Sequence, residues 1–145
     1  MGCGFSTSYL FLNNYNVVGV DLIYGMLAKY KIPELNPVNG NIKNLPFRSN
    51  SFDYIISISA LQWIINKLKP AERSRVLKSV AIRIGLLLKR GGKAVFQFYS
   101  VKPNLMKEIG AIFAENGHFG EESTFIIENP DSSTKRKTFL YLEKE

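Results

Sequence analysis

The chain has 145 residues, with 19 Lys and Arg against 12 Asp and Glu, a formal charge of +7. That length fits one ordinary domain, and a 46% apolar share is too high for disorder, so a packed core is expected. One cysteine and one histidine argue against a disulfide framework, a multi-cysteine metal site or a His-based triad. No apolar run approaches the ~20 residues that cross a bilayer, and no charged-then-apolar leader opens the chain, so a soluble intracellular protein is expected. The basic surplus suits a polyanionic partner such as RNA, although many basic proteins bind none.

The elements follow in chain order. Thr7 to Leu12 is compatible with a helix. Asn16 to Asp21 is an apolar run ending in an acid and reads as a buried strand, followed by a short helix from Leu22 to Lys31. Ile32 to Gly40 is loop-like, with a strand near Val38 to Ile42. Phe52 to Ser59 has few polar residues and reads as a central strand covered on both faces. Ala71 to Leu88 places Val76, Leu77, Val80, Ala81, Ile84, Leu87 and Leu88 at helical spacing, with Arg75, Lys78 and Arg83 on the opposite side.

Gly91-Gly92 is expected to break the chain before a strand from Lys93 to Tyr99. Pro103 suits the first turn of a helix carrying Leu105, Ile109, Ile112 and Phe113 and stopped by Gly117, with His118 as a surface or capping residue. Thr124 to Glu128 and Thr138 to Leu142 flank a turn rich in Asn, Pro, Asp and Ser and read as a hairpin. Strands separated by helices imply an α/β, doubly wound, mostly parallel sheet with a C-terminal antiparallel hairpin, in one domain spanning residues 1–145.

Gly2-Cys3-Gly4 ahead of a helix is the kind of turn that lets a backbone approach an anionic ligand, although any tight turn uses glycines. Asp21 stands nineteen residues after Gly2 at the end of the next strand, where a nucleotide ribose presents its hydroxyls; it could equally cap a helix. Asn41-Ile42, Leu45-Pro46-Phe47, Ser51-Phe52-Asp53 and Ser57 to Trp63 follow, the last at the end of the central strand, where open α/β sheets hold their ligands. Cys3 has no His or second Cys placed to make it a nucleophile. Lys67, Lys69, Arg73, Arg75 and Lys78 form a basic run that is either a solvated helix face or a contact to RNA phosphates, and Lys135-Arg136-Lys137 reads as a charged hairpin tip.

Together these segments resemble the class I S-adenosylmethionine-dependent methyltransferases. Leu45-Pro46-Phe47 with Ser51-Phe52-Asp53, SISALQW (57–63), LLLKRGGKAVFQFY (86–99) and ENPDSSTKRKTFLYL (128–142) are similar to the eukaryotic small-subunit (18S) rRNA guanine-N7 methyltransferase family. That resemblance implies S-adenosylmethionine as cofactor, with Gly2, Cys3 and Gly4 beside its methionine part. It also implies Asp21 on the ribose, Leu22 against the adenine, Asn41 at the adenine amino group, Ile42 over the adenine face and Ser57 facing the cofactor. Ser59, Gln62 and Trp63 would face the substrate, and Trp63 and Tyr99 are candidates to stack on a guanine, with a core or partner-facing role as the alternative for each.

No catalytic base and no metal are implied, because guanine N7 already carries a free lone pair. The resemblance further implies rRNA in the pre-40S subunit and a small zinc-binding activator protein as partners, in the nucleus or nucleolus and the cytoplasm, with no membrane. Alternatives are a methyltransferase of a small metabolite and a non-catalytic fragment that only binds a partner.

The family carries a strand before its first glycine, usually ending in an acid, and here Met1 stands directly before Gly2. A functional start upstream of Met1 is therefore expected, supplying that central strand. Ser6 stands where many relatives have a third glycine, and the family's basic tail is missing after Glu145. An edge near Val38 to Ile42, with Ile32 and Leu35 close by, is expected to be covered by the activator through strand addition.

Overall fold

A computed structural model describes residues 5–29, 37–99, 102–120, 123–128 and 137–145. They fall into two compact units, Met1–Pro46 and Phe47–Glu145.

The first unit holds helix α1 (Phe5–Leu12), strand β1 (Val20–Asp21), the single turn α2 (Tyr24–Leu27) and strand β2 (Val38–Asn39). β1 and β2 pair in parallel, Val20 opposite Val38 and Asp21 opposite Asn39, over a small core of Val20, Leu27 and Leu45. Both strands are shorter than the sequence suggests. The run from Asn16 is strand only where β2 supplies ladder partners, and β2 ends where the chain turns at Asn41. There the Lys43 amide donates to Asn41 Oδ1 at 3.0 Å and the Asn44 amide to Asn41 O at 2.8 Å. The expected helix from Leu22 to Lys31 is one turn as far as the described residues reach.

The second unit is a four-stranded sheet in the order β3 (Phe52–Ile58), β4 (Leu88–Tyr99), β6 (Lys137–Glu143), β5 (Thr124–Glu128). β3 and β4 run parallel, joined through α3 (Leu61–Lys67) and α4 (Pro70–Leu87). The hairpin is present, and its second strand inserts antiparallel between β4 and β5, so only β5 lies at that edge. This mixed sheet with its crossover helices is the expected α/β class. The helix α3 was not anticipated from the sequence.

Burial separates the two faces of the sheet. Ile55, Ala94, Phe96, Phe98, Leu140 and Leu142 are buried on one face. Helix α5 (Pro103–Gly117) covers them, setting Phe113 edge-on to Phe96 with ring centroids 5.4 Å apart. α4 and α5 cross so tightly that a Cβ on Gly85 would collide with the Gly117 carbonyl. All seven apolar positions expected at the core side of α4 are buried.

On the other face Tyr54, Ile56, Ile58 and Tyr99 are exposed. β3 is therefore not covered on both faces as its composition suggests. It alternates, and it is an edge of this sheet among the described residues.

A further expectation is corrected. Gly91-Gly92 does not break the chain ahead of a strand; β4 begins at Leu88 and passes through it. The register shifts between Phe52 opposite Leu88 and Tyr54 opposite Lys93, so the intervening residues of β4 bulge. Gly91 takes φ +70° there, and a Cβ on Gly92 would press on the Lys89 carbonyl. Arg83, expected opposite the apolar stripe of α4, donates its Nη2 to the Phe47 carbonyl at 2.7 Å.

Candidate functional site

The residues singled out for chemistry collect at the C-terminal ends of the parallel strands in each unit. Gly2, Cys3 and Gly4 lie outside the described residues.

In the first unit the β1 end is tied down by its own backbone and by one side chain the sequence did not flag. Asp21 O accepts from the Gly40 amide and from Asn39 Nδ2, each at 3.0 Å, and Asn39 Nδ2 also donates to Leu22 O at 3.0 Å. The Asp21 carboxylate accepts the Ile23 amide through Oδ1 at 2.9 Å. That is a turn contact two residues on, which orients the carboxylate at the strand end; the residue at the helix cap position of α2 is Ile23. Leu22, Ile23 and Tyr24 are exposed apolar side chains beside it, and Asn41 and Ile42 are half-buried just beyond β2. Asp21, Leu22, Asn41 and Ile42 are thus brought together by one short parallel pair.

In the second unit β3 ends at Ile58, and Ser59 turns the chain with φ 56°, a left-handed conformation uncommon for a residue with a side chain. The Ser59 amide donates to Gln97 O at 2.8 Å, and Ser59 Oγ lies 3.2 Å from Gln97 Oε1, so the ends of β3 and β4 are linked twice. Ser57 is fully buried, on the same side of β3 as the buried Ile55, with its Oγ unpartnered. Gln62 is half-buried on α3, with Oε1 lacking a partner. Trp63 is 59% exposed, and Lys67 Nζ sits 4.3 Å from the centre of its ring.

Ser59 and Tyr99 border a cavity of about 350 Å³ on the uncovered face of the sheet. Its walls are Ile56, Ile58, Val95 and Phe139, and its polar groups include Gln97 and Lys137. Gln62 and Trp63 do not line it. Sequence reasoning missed Gln97, although one amide alternating with Val95 and Tyr99 in an otherwise apolar strand is a visible signal. Lys137 is no hairpin tip: it opens β6 opposite Tyr99. The basic run also divides, for Lys67, Lys69, Arg75 and Lys78 are exposed while Arg73 pairs with Glu108 at 3.0 Å with only 14% of its side chain exposed. Among the described residues no group of three His, Cys, Asp or Glu could hold a metal ion, and no helix is long and apolar enough to cross a membrane.

Comparison with known proteins places this geometry. Residues 1–96 match the methyltransferase domain family. The chain belongs to that family. It is 30% identical over 149 residues to the 18S rRNA (guanine-N(7))-methyltransferase of Schizosaccharomyces pombe, an alignment covering 98% of this chain and 54% of the yeast protein. It is 39% identical over 101 residues to a probable 18S rRNA (guanine-N(7))-methyltransferase of Dictyostelium discoideum, covering 69% of this chain and 34% of that protein.

Among solved structures, a Pyrococcus horikoshii protein superposes with a TM-score of 0.71 at 19% identity, over 99% of this chain and 78% of that one. A Burkholderia thailandensis 1,6-didemethyltoxoflavin-N1-methyltransferase with bound S-adenosylhomocysteine superposes with a TM-score of 0.64 at 17% identity, over 97% and 66%. These last two establish the Rossmann-like methyltransferase fold. The chain spans about half the length of the curated relatives it matches.

Proposed function

We propose that this methyltransferase-family chain transfers a methyl group from S-adenosylmethionine to N7 of a guanine in small-subunit rRNA, in support of ribosome biogenesis. The observation that carries the reading is the alignment of 98% of the chain with an 18S rRNA guanine-N7 methyltransferase. The residues of the first unit suit the cofactor's nucleoside. A carboxylate held at a strand end accepts bonds from ribose hydroxyls, and Leu22 with Ile42 offers apolar surface to an adenine. Asn41 retains a second lone pair on the oxygen that already accepts from Lys43, enough for one amino hydrogen.

When bound, S-adenosylmethionine supplies a methyl group already activated on a sulfonium. Guanine N7 needs no deprotonation, so the chain's own task is alignment, and holding two reactants in register accounts for roughly 7–11 kcal/mol of a barrier. One histidine in the whole chain is compatible with chemistry that uses no general base. Exposed Lys67, Lys69, Arg75 and Lys78 give a basic surface suited to RNA phosphates.

The same reading extends to partners and place. A small zinc-binding activator protein would pair with β2, whose only strand partner among the described residues is β1, and Val38 beside that edge is half-buried. Ile32 and Leu35 lie outside the described residues. Acting on pre-40S rRNA, the protein would reside in the nucleus or nucleolus and the cytoplasm. The deciding experiment co-expresses the chain with its organism's activator and supplies labelled S-adenosylmethionine and 18S rRNA. Methylated N7 is then mapped by reduction and aniline cleavage. One cleaved guanine is expected; label appearing on small metabolites and none on rRNA would overturn the reading.

A further inference from the structure

The side chain of Gln97 is a feature of the cavity that its apolar walls do not explain. It is 93% buried by its 7% exposure, in the middle of a strand whose neighbours Phe96 and Phe98 are fully buried on the other face. Its Oε1 faces Ser59 Oγ at 3.2 Å, while its Nε2 is buried with no hydrogen-bond partner. An unsatisfied buried donor is costly, so such a group persists in a site when a ligand or a water completes it. Ile58 lies opposite Gln97 on one side in the sheet register and Phe139 on the other, with Tyr99 two residues further along β4 and Lys137 opposite Tyr99. At about 350 Å³ the cavity is at the lower end of small-molecule sites.

We propose that Gln97 selects guanine in this cavity by donating its Nε2–H to O6 of the base that is methylated, with Ser59 holding the amide by its other end. This deepens the functional reading above and rests on it. On a guanine edge O6 lies next to N7, and both are acceptors. A donor to O6 therefore orients the base and leaves the N7 lone pair free to react. Adenine presents an amino group where guanine has O6, so Nε2 would face a second donor and stay unpaired. A site built to hydrogen-bond one group rejects the analogue lacking it more strongly than apolar contacts can. The strained left-handed Ser59 has a purpose in this scheme, because that turn brings its hydroxyl back to Gln97.

The test begins with the unaltered chain, co-purified with its activator. Binding of guanosine, inosine, 2-aminopurine riboside and adenosine monophosphates is followed by shifts in protein NMR spectra. Guanosine and inosine keep O6 and should bind alike; the other two lack it and should bind at least tenfold more weakly. Gln97→Glu, which replaces the donor with an acceptor, should reverse the order of guanosine and adenosine, and Gln97→Met, of similar shape, should abolish the difference. S-adenosylhomocysteine binding is measured in parallel and should be unchanged in both variants.

Equal binding of guanosine and 2-aminopurine riboside to the unaltered chain overturns the assignment, whether or not either variant folds. If S-adenosylhomocysteine binds and no nucleotide does, the guanine site falls and the methyltransferase reading stands. If neither binds, both fall.

Discussion

Replacing Asp21 by Ala tests the cofactor reading at the point where structure and chemistry are best separated. The carboxylate accepts the Ile23 amide at 2.9 Å. The strand end keeps its Gly40 and Asn39 bonds, which use the backbone oxygen of Asp21. Folding stability should fall by about 1.5–3 kcal/mol for the Ile23 bond, which ends on a charged acceptor. Cofactor affinity should fall as well, on protein that stays folded. Bonds to a charged acceptor contribute about 1.5–3 kcal/mol, which is roughly a tenfold to hundredfold weakening. Asp21→Asn keeps an oxygen for Ile23 and loses the charge, so it should fall between Ala and the natural residue. Calorimetric titration with S-adenosylhomocysteine, on protein shown by urea unfolding to be native, measures each. Unchanged affinity in Asp21→Ala would remove this carboxylate from the site and with it the assignment of the β1 end to a ribose.

Gly85→Ala sets helix propensity, worth about 1 kcal/mol in favour of Ala, against a backbone collision at the α4–α5 crossing of about 1–3 kcal/mol. The urea midpoint should drop, and a rise would show that the helices can part freely. Glu108 accepts Ser74 Oγ at 2.8 Å, and this bond, with lesser help from Arg73, holds its carboxyl below the ordinary range. A depressed folded value means stability that is present above the unfolded value and lost as pH falls through the folded one. Glu108→Gln should therefore be less stable at neutral pH and lose less on acidification; parallel pH profiles of the two unfolding midpoints would refute this. Trp63→Ala should weaken binding to an rRNA fragment by roughly tenfold or more, from ~1–3 kcal/mol of stacking, with little change in stability because the ring is 59% exposed. Since Lys67 already covers one face of the indole, an undiminished RNA affinity would mark the pair as a surface contact only.

Periodicity determined much of this molecule before any fold was seen. The α4 stripe from Val76 to Leu87 is buried as spaced, Pro103 opens α5, and the two last strands pair antiparallel. These are local matters, in which the 3.6- and 2-residue repeats act within a few residues. The ends of elements were less legible. Asn16 to Asp21 has the composition of a strand, yet only Val20 and Asp21 find ladder partners, and a lone run of apolar residues does not contain its neighbour's length.

Tertiary structure alone decided which faces are covered and which polar groups meet. Ile56 and Ile58 are as apolar as Ile55, and composition cannot tell the covered face of β3 from the open one. Arg73, Arg75 and Arg83 share one helix, but only the packing of α5 and of Phe47 turns Arg73 and Arg83 inward and leaves Arg75 in solvent. Ser59 and Gln97 are 38 residues apart in sequence and come together because β3 and β4 run parallel and end side by side. A hydrogen bond across that separation follows from strand register, which depends on the whole sheet at once, whereas Asp21 could be read from its own strand end.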